Sequence, residues 1–255
     1  MTAIPASLER FREDYAAYRA SEGRAYLGQA LQSLPYLAEG PLKAQWAVRA
    51  RSFETLVARV VVPLANRLGR HLDVLDLGAG NGWLSYRLAC AGHRCTAIDV
   101  RNDHVDGLGA AEELAEIQRF ERLTASFDSL PLPTGTADLA VYNASLHYAS
   151  DLSATLAEAR RCIRAGGVLA VADSPFYRHR ADGEAMVTEK RGQGGLAALD
   201  CIEFLTRASL ERESSLAWRR LRVRYPLWYE LRPVRAWLTG RRRPSRFDVW
   251  LATMP

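Results

Sequence analysis

The chain has 255 residues, 48% of them hydrophobic, and a formal net charge of +5. That is ample material for the core of one large domain, or of a domain with a small cap. No run of 18 apolar residues occurs, so neither a membrane span nor a membrane partner is expected. The N-terminus carries Glu9, Arg10, Arg12, Glu13 and Asp14 in place of the apolar core of a signal peptide.

In chain order, residues 5 to about 38 predict one or two amphipathic helices, with Leu8, Phe11, Tyr15 and Tyr18 at helical spacing. A longer helix is expected over 42–68, with Trp46, Phe53, Leu56 and Val60 on one side and Pro63 kinking or splitting it. Residues 72–77 read as a buried strand that runs into a glycine turn and a helix over 82–92. From there helices and strands alternate, which predicts the α/β class, a parallel sheet with helices on both faces. A short strand over 94–99 ends in Asp99, and the 106–109 stretch, with Gly107 and Gly109, opens the next connection. Residues 177–195 are polar and Gly-rich and predict a mobile lid. Thr206 is placed to cap a helix. Residues 221–229 and 247–253 are expected to be strands six and seven. The four cysteines, Cys90, Cys95, Cys162 and Cys201, form no C-x-x-C pair and sit in apolar contexts. They predict buried, reduced thiols and a cytoplasmic location. A Cys90–Cys95 metal pair lacks ligand-rich neighbours, and no metal is expected.

The most specific pattern is Asp76-Leu77-Gly78-Ala79-Gly80-Asn81-Gly82-Trp83. The dinucleotide fingerprint is G-x-G-x-x-G, with a helix N-terminus facing a pyrophosphate. Here the spacing is G-x-G-x-G, and Trp83 stands where the third fingerprint glycine would allow close approach. An acid two residues before the first glycine suits a ligand with a cationic end better than a phosphate, which it would repel. Asp99 lies about 20 residues past that glycine, the spacing of one β-α-β step with an acid on a ribose. A carboxylate accepts two hydrogen bonds from a vicinal diol.

This segment resembles motif I of the class I S-adenosylmethionine methyltransferases, and the chain resembles their broad type-11 small-molecule branch. The Leu130-Pro131-Leu132-Pro133-Thr134-Gly135 run matches the approach to that family's fourth strand. Arg164-Ala165-Gly166-Gly167 matches its R-P-G-G turn, with Ala165 in place of Pro and the two glycines still expected to end the preceding helix. The resemblance covers roughly residues 70 to 175 well. It implies a Rossmann-like, mostly parallel seven-stranded sheet with the last strand antiparallel, an N-terminal helical cap over 1–69, and a cofactor-binding domain over 70–255 with a lid insertion at about 177–200. It further implies S-adenosylmethionine as cofactor and S-adenosylhomocysteine as product. Asp76 would help hold the amino-acid end, with the turn Gly78, Ala79, Gly80, Asn81 and Gly82 beneath the cofactor. Asp99, followed by Val100, would grip the ribose. Where the family often has an adenine-contacting Asp, this chain has Ser126, followed by Phe127, which would pack on the adenine face; Asp128 is the rival for the adenine contact.

In open α/β sheets ligands bind beyond the C-terminal ends of the strands, where strand order switches. Strand four leads into Asn143, His147 and Tyr148, and strand five into Asp173 and Tyr177. Methyl transfer mainly requires a nucleophile held about 3 Å from the methyl carbon, and a hydroxyl acceptor gains from a base. The catalytic candidates are His147, whose ordinary pKa suits neutral-pH proton transfer, then Tyr148 and Asp173. The plainer reading of His147 is a hydrogen bond to nearby backbone or a wall of the cofactor pocket. Tyr177 and His179 would close from the lid, and Asn143 would bond substrate or cofactor. No N/D-P-P-Y motif follows strand four, which disfavours methylation of an adenine, cytosine or glutamine nitrogen.

Residues 219 to 246 contain ten arginines, opposed only by Glu230. Such a cluster can neutralise phosphates. Yet only Lys43 and Lys190 are lysines among the 34 Lys and Arg residues, a composition bias that fills surface positions with Arg. A solvated face or an anionic small-substrate site is therefore preferred over nucleic acid. The expectation is a small-molecule methyltransferase, oxygen slightly favoured as acceptor. The alternatives are an RNA or protein methyltransferase docking through the arginines, and a catalytically silent cofactor-binding protein.

Overall fold

The computed structural model describes residues 26–192 and 201–255. The helical pattern of Leu8, Phe11, Tyr15 and Tyr18, and residues 193–200 of the expected lid, lie outside them.

Seven strands form one sheet: β1 (Asp73–Leu77), β2 (Arg94–Asp99), β3 (Glu121–Thr124), β4 (Ala137–Asn143), β5 (Ile163–Ala172), β6 (Arg219–Leu221) and β7 (Val249–Thr253). Their order is β3-β2-β1-β4-β5-β7-β6. Pairing is parallel from β3 to β5, and β7 runs antiparallel to both its neighbours. Leu77 faces Ile98 on one side and Tyr142 on the other, so β1, β2 and β4 end level with one another. Every residue of β4 before Asn143 is buried, as a central parallel strand covered on both faces requires. Alternate side chains enter two cores. Val74, Val141 and Ala170 join Leu84, Leu88, Trp46 and Leu56, while Leu75, Ala140 and Leu169 join Leu156 and Leu210.

The helix α1 (Gly28–Ser33) is tied to the sheet domain by hydrogen bonds from Arg87 to the carbonyls of Gln32 and Leu34. The helix α2 (Lys43–Leu56) continues through a π turn (Val57–Val61) into α3 (Val62–Leu68). Pro63 therefore does not split the helix. It lacks an N–H and its ring crowds the preceding turn, and the wider π turn before it accommodates that loss. Gly69 ends α3 in the left-handed region.

Several boundaries differ from expectation. The first helix after the glycine turn is α4 (Trp83–Cys90). The helix α5 (Ala111–Ile117) follows β2, and α6 (Leu152–Cys162) precedes β5. The Gly-Gly pair does not end α6, which stops at Cys162 with Ile163 already extended. Instead the pair lies within β5, where a Cβ on Gly167 would stand 2.8 Å from the Asp138 carbonyl. The glycine lets β5 approach β4 where their register shifts. The segment expected as a lid contains a regular helix, α7 (Arg180–Gly192), and Thr206 caps α8 (Arg207–Ser214). The strand expected over 221–229 is only Arg219–Leu221. Pro226 cannot donate to a ladder and instead precedes α9 (Leu227–Glu230), followed by α10 (Arg232–Leu238). Cys95 and Cys162 are buried, but Cys90 is exposed and Cys201 half-buried.

At the N-terminal ends of the central strands, opposite the glycine turn, Asp138 is a hub. Its oxygens accept from Arg70 (2.7 and 2.8 Å), Arg164 (2.8 Å) and the Asp73 N–H (2.9 Å). Burial alone would raise its carboxyl, but these hydrogen bonds outweigh burial and hold it below the usual range. Asp138→Ala is expected to lower the unfolding free energy by about 2–3 kcal/mol, read from urea midpoints. A loss under about 0.5 kcal/mol would mean that solvent screens the hub.

Candidate active site

The glycine turn needs its glycines for three separate reasons. Gly78 has φ +76°, and a Cβ there would lie 2.4 Å from Cβ of Ser145. Ser145 in turn donates to the Leu77 carbonyl at 2.5 Å, so β1 and the β4 loop are pressed together. Gly82, also left-handed, would push a Cβ to 2.8 Å from that of Ala111, so it lets α5 pack. Gly80 is more open, meeting only the Asp106 carbonyl at 3.2 Å, and needs glycine for its left-handed backbone, φ +54°. Its N–H donates to Oδ2 of Asp99 at 2.8 Å. Oδ1 of Asp99 accepts from the Arg101 N–H at 2.9 Å. One carboxylate thus joins the turn after β1 to the turn after β2. Burial raises its pKa against these two hydrogen bonds. Ala79 donates to the Ile98 carbonyl at 2.9 Å. Asn81 is buried and reaches Asp106 only at 3.4 Å. Val100 is half-buried beside Asp99.

Asp76 lies inside β1 and is 1% exposed. Its Oδ2 accepts from Ser85 on α4, from the N–H at 3.2 Å and the hydroxyl at 2.9 Å. Its Oδ1 is buried without a hydrogen-bond partner among the described residues. Burial, opposed by Ser85, pushes its pKa up to about 7. An orphaned buried carboxylate oxygen calls for a proton or a cationic ligand. Beside the turn, Phe127 comes within 3.5 Å of the position a Gly78 Cβ would take and meets Tyr142 edge-on. Ser126 donates to Asp128, and Asp128 is exposed.

The ends of β4 and β5 carry the other candidates. Asn143 is half-buried at the end of β4. Nδ1 of His147 stands 3.4 Å from the Ser174 hydroxyl, and its ring lies 4.1 Å from that of Tyr148. Asp173 follows β5 in a left-handed conformation, φ +51°. Its Oδ1 accepts from Ser52 on α2 at 2.5 Å, and its buried Oδ2 has no hydrogen-bond partner among the described residues. Burial raises its pKa to about 6, with Arg49 and Ser52 opposing. Tyr225 and Tyr229 lie in its field; burial first, then Asp173, raise both phenols, that of Tyr225 well above its usual range. Tyr177 does not face this group: its hydroxyl accepts from Arg242 at 3.1 Å. His179 is exposed.

Sequence reading had no place for Ser52, Arg49, Ser85, Ser145 and Ser174. The one available signal was on α2, where Arg49 and Ser52 interrupt the stripe of Trp46, Phe53 and Leu56 at helical spacing. That helix reaches the glycine turn through edge-on contacts of Trp83 with Trp46 (5.8 Å) and Phe53 (5.6 Å). The arginine segment is less bare than its sequence. Arg246 pairs with Glu230 (2.9 Å) and Asp248 (3.2 Å), Arg220 with Asp248, and Arg242 with Glu189. Among the described residues no cluster of three or more His, Cys, Asp or Glu is arranged to hold a metal ion.

A family model described as a methyltransferase domain matches residues 75–171. A malonyl-[acyl-carrier protein] O-methyltransferase from Hahella chejuensis is 33% identical over 107 residues, 41% of this chain and 37% of that relative. The chain thus spans little more than a third of that protein. A 27-O-demethylrifamycin SV methyltransferase from Amycolatopsis mediterranei is 29% identical over 181 residues, 67% of this chain and 66% of the relative. Among solved structures, a Burkholderia thailandensis 1,6-didemethyltoxoflavin-N1-methyltransferase with bound S-adenosylhomocysteine has a TM-score of 0.56 at 20% identity, over 100% of this chain and 92% of that one. The [4+2]-cyclase SpnF has a TM-score of 0.55 at 20% identity, over 77% and 81%. The fold is that of these proteins; it does not by itself fix the reaction.

Gly78→Ala is expected to cost at least about 2 kcal/mol of stability from backbone strain and the Ser145 clash, partly restored by Ser145→Gly. Equal behaviour of Gly78→Ala with and without Ser145→Gly in urea unfolding would refute the close approach. The raised pKa of Asp76 also has a sign. Between the unfolded carboxylate range and about pH 7 the native state retains a proton that the unfolded chain has lost. Stability conferred around Asp76 therefore falls as pH rises through that window. The stability of Asp76→Asn relative to the parent is expected to rise by on the order of 2 kcal/mol between pH 5 and pH 8. A difference independent of pH would contradict this.

Proposed function

We propose that the chain, which through residues 75–171 belongs to the class I S-adenosylmethionine-dependent methyltransferases, transfers a methyl group from that cofactor to a small-molecule acceptor, with oxygen as the favoured methyl-accepting atom. The observation that carries the cofactor reading is the joint of Gly80 to Asp99, two register positions beyond the buried, half-satisfied Asp76 of the adjacent strand. These residues fit the group. Asp99 would accept the ribose diol while still holding the turn, and Asp76 Oδ1 would face the cationic amino-acid end. Gly80 leaves the turn open, and Phe127 offers an aromatic face for the adenine, with Ser126 or Asp128 at its edge. When bound, the cofactor supplies a sulfonium-activated methyl group open to in-line displacement.

The acceptor reading rests on the ends of β4 and β5 and on the relatives, two of which are named for oxygen methylation; a third, from Acidiphilium cryptum, is named as a C-methyltransferase. Asp173 is the best-placed base. Its pKa of about 6 keeps it mostly ionised at neutral pH, its Oδ2 is uncommitted to hydrogen bonding, and Ser52 fixes its orientation. His147 is held near by Ser174 and orients or relays, with Tyr148 stacked on it and Asn143 at the rim.

The reading is tested in two stages. Asp99→Ala is expected to weaken S-adenosylmethionine binding by about 1–3 kcal/mol; unchanged affinity would remove the ribose role. With an acceptor found by screening hydroxyl compounds against a labelled methyl donor, Asp173→Asn should lower kcat by about 10²–10⁴ at unchanged cofactor affinity and remove an acid limb near pH 6. Full turnover in Asp173→Asn would exclude it as the base.

A further inference from the structure

We infer that the ridge formed by α9 and α10 is a docking surface for an anionic phospholipid membrane. Leu227, Leu231, Val234 and Leu238 recur at i, i+4, i+7 and i+11 and are 72%, 48%, 51% and 71% exposed. That spacing places them in one stripe along a helical path. Trp228 and Trp237 flank the stripe at 52% and 78% exposure. Six large apolar side chains in 12 consecutive positions turned to solvent are far more than the scattered exposure of an ordinary surface.

The exposure does not come from a loosely held end. Tyr229, between the tryptophan and the stripe, is 2% exposed, and the Arg232 guanidinium lies 3.6 Å from its ring centre. Arg232 also donates to the Ser245 carbonyl at 2.8 Å, and Glu230 is gripped by Arg246 through two hydrogen bonds. The root is fixed, while α10 has no buried residue and stands proud of the body.

Charge selects the occupant. Between Leu231 and Arg243 the chain has five arginines and no acid; of these Arg242 is paired with Glu189 of α7. Arg235, Arg241 and Arg243 are exposed beside the stripe. A second copy of the chain would bring arginine against arginine across a desolvated contact, a costly arrangement. A nucleic acid would use the arginines but gain nothing from a Leu/Val stripe. A folded acidic protein would need a groove shaped to this convex ridge, whereas a bilayer surface yields to it. In a membrane the aliphatic side chains enter the acyl boundary, the indoles sit at headgroup depth and the guanidiniums take the phosphates. Among the described residues no helix is long and apolar enough to span a bilayer; the sequence-based expectation of no membrane partner rested on that criterion, and a surface ridge does not depend on it.

The test is co-sedimentation of the full chain with phosphatidylcholine vesicles, with and without phosphatidylglycerol, at low and high salt, beside tryptophan fluorescence. The inference predicts uptake by the phosphatidylglycerol vesicles at low salt, a blue-shifted emission, and weaker uptake at high salt or on neutral vesicles. The double variant Trp237→Ser/Leu238→Ser and the triple variant Arg235→Glu/Arg241→Glu/Arg243→Glu should each lose at least about tenfold in partition. Both should keep the parent circular dichroism spectrum and thermal midpoint. A chain that stays in the supernatant with anionic vesicles at low salt would overturn the inference. So would equal uptake of parent and both variants, or a parent dimer that Trp237→Ser/Leu238→Ser converts to monomer.

Discussion

The mouth of the sheet depends on one joint, the Asp99 carboxylate that holds the N–H groups of Gly80 and Arg101. Two crossover turns leave the sheet side by side there, and each exposes backbone donors that the strands no longer satisfy. One side chain answers for both. Because Leu77, Ile98 and Tyr142 end in register, fixing the turn after β1 against β2 also fixes it against β4, where Ser145 closes on Gly78. The site is therefore built from backbone geometry before any ligand enters. Its two buried carboxylates, Asp76 and Asp173, carry the strain of burial as raised pKa values.

Much of this architecture could be read from the chain because the signals were local. The largely apolar runs of β1 and β4, broken only by Asp76 and Asp138, the glycine spacing and the carboxylate one β-α-β step later are all short-range patterns. The part that was illegible is non-local. Ser52 reaches Asp173 across 121 positions, and no periodicity announces such a meeting. Hence His147, with its convenient ordinary pKa, stood first among the candidate bases. We propose Asp173 in its place, a buried carboxyl held by Ser52, its pKa raised by burial to about 6. The shortened β6 has a different cause. The apolar Leu221–Val223–Tyr225 alternation reads as a strand beyond Leu221, but Pro226 and a turn of helix put Leu227 and Trp228 on the surface rather than in a sheet.

The arginine-rich segment shows why charge counted along a chain misleads. Several of its guanidiniums are taken by Glu230, Asp248 and Glu189 and hold β6, β7 and α7 in place. Those near Trp237 instead border an apolar stripe. The same residue type is thus structural at Arg220, Arg242 and Arg246 and a surface feature at the exposed positions between them.

The central claim is that the turn and its two carboxylates take a sulfonium cofactor rather than a dinucleotide. Calorimetric titration of the purified, folded protein with S-adenosylmethionine, S-adenosylhomocysteine and NAD tests it most directly. The account predicts saturable binding of the first two at one site per chain and no heat with NAD. Saturable NAD binding, or a folded protein free of co-purified cofactor that takes up neither of the first two, would contradict it.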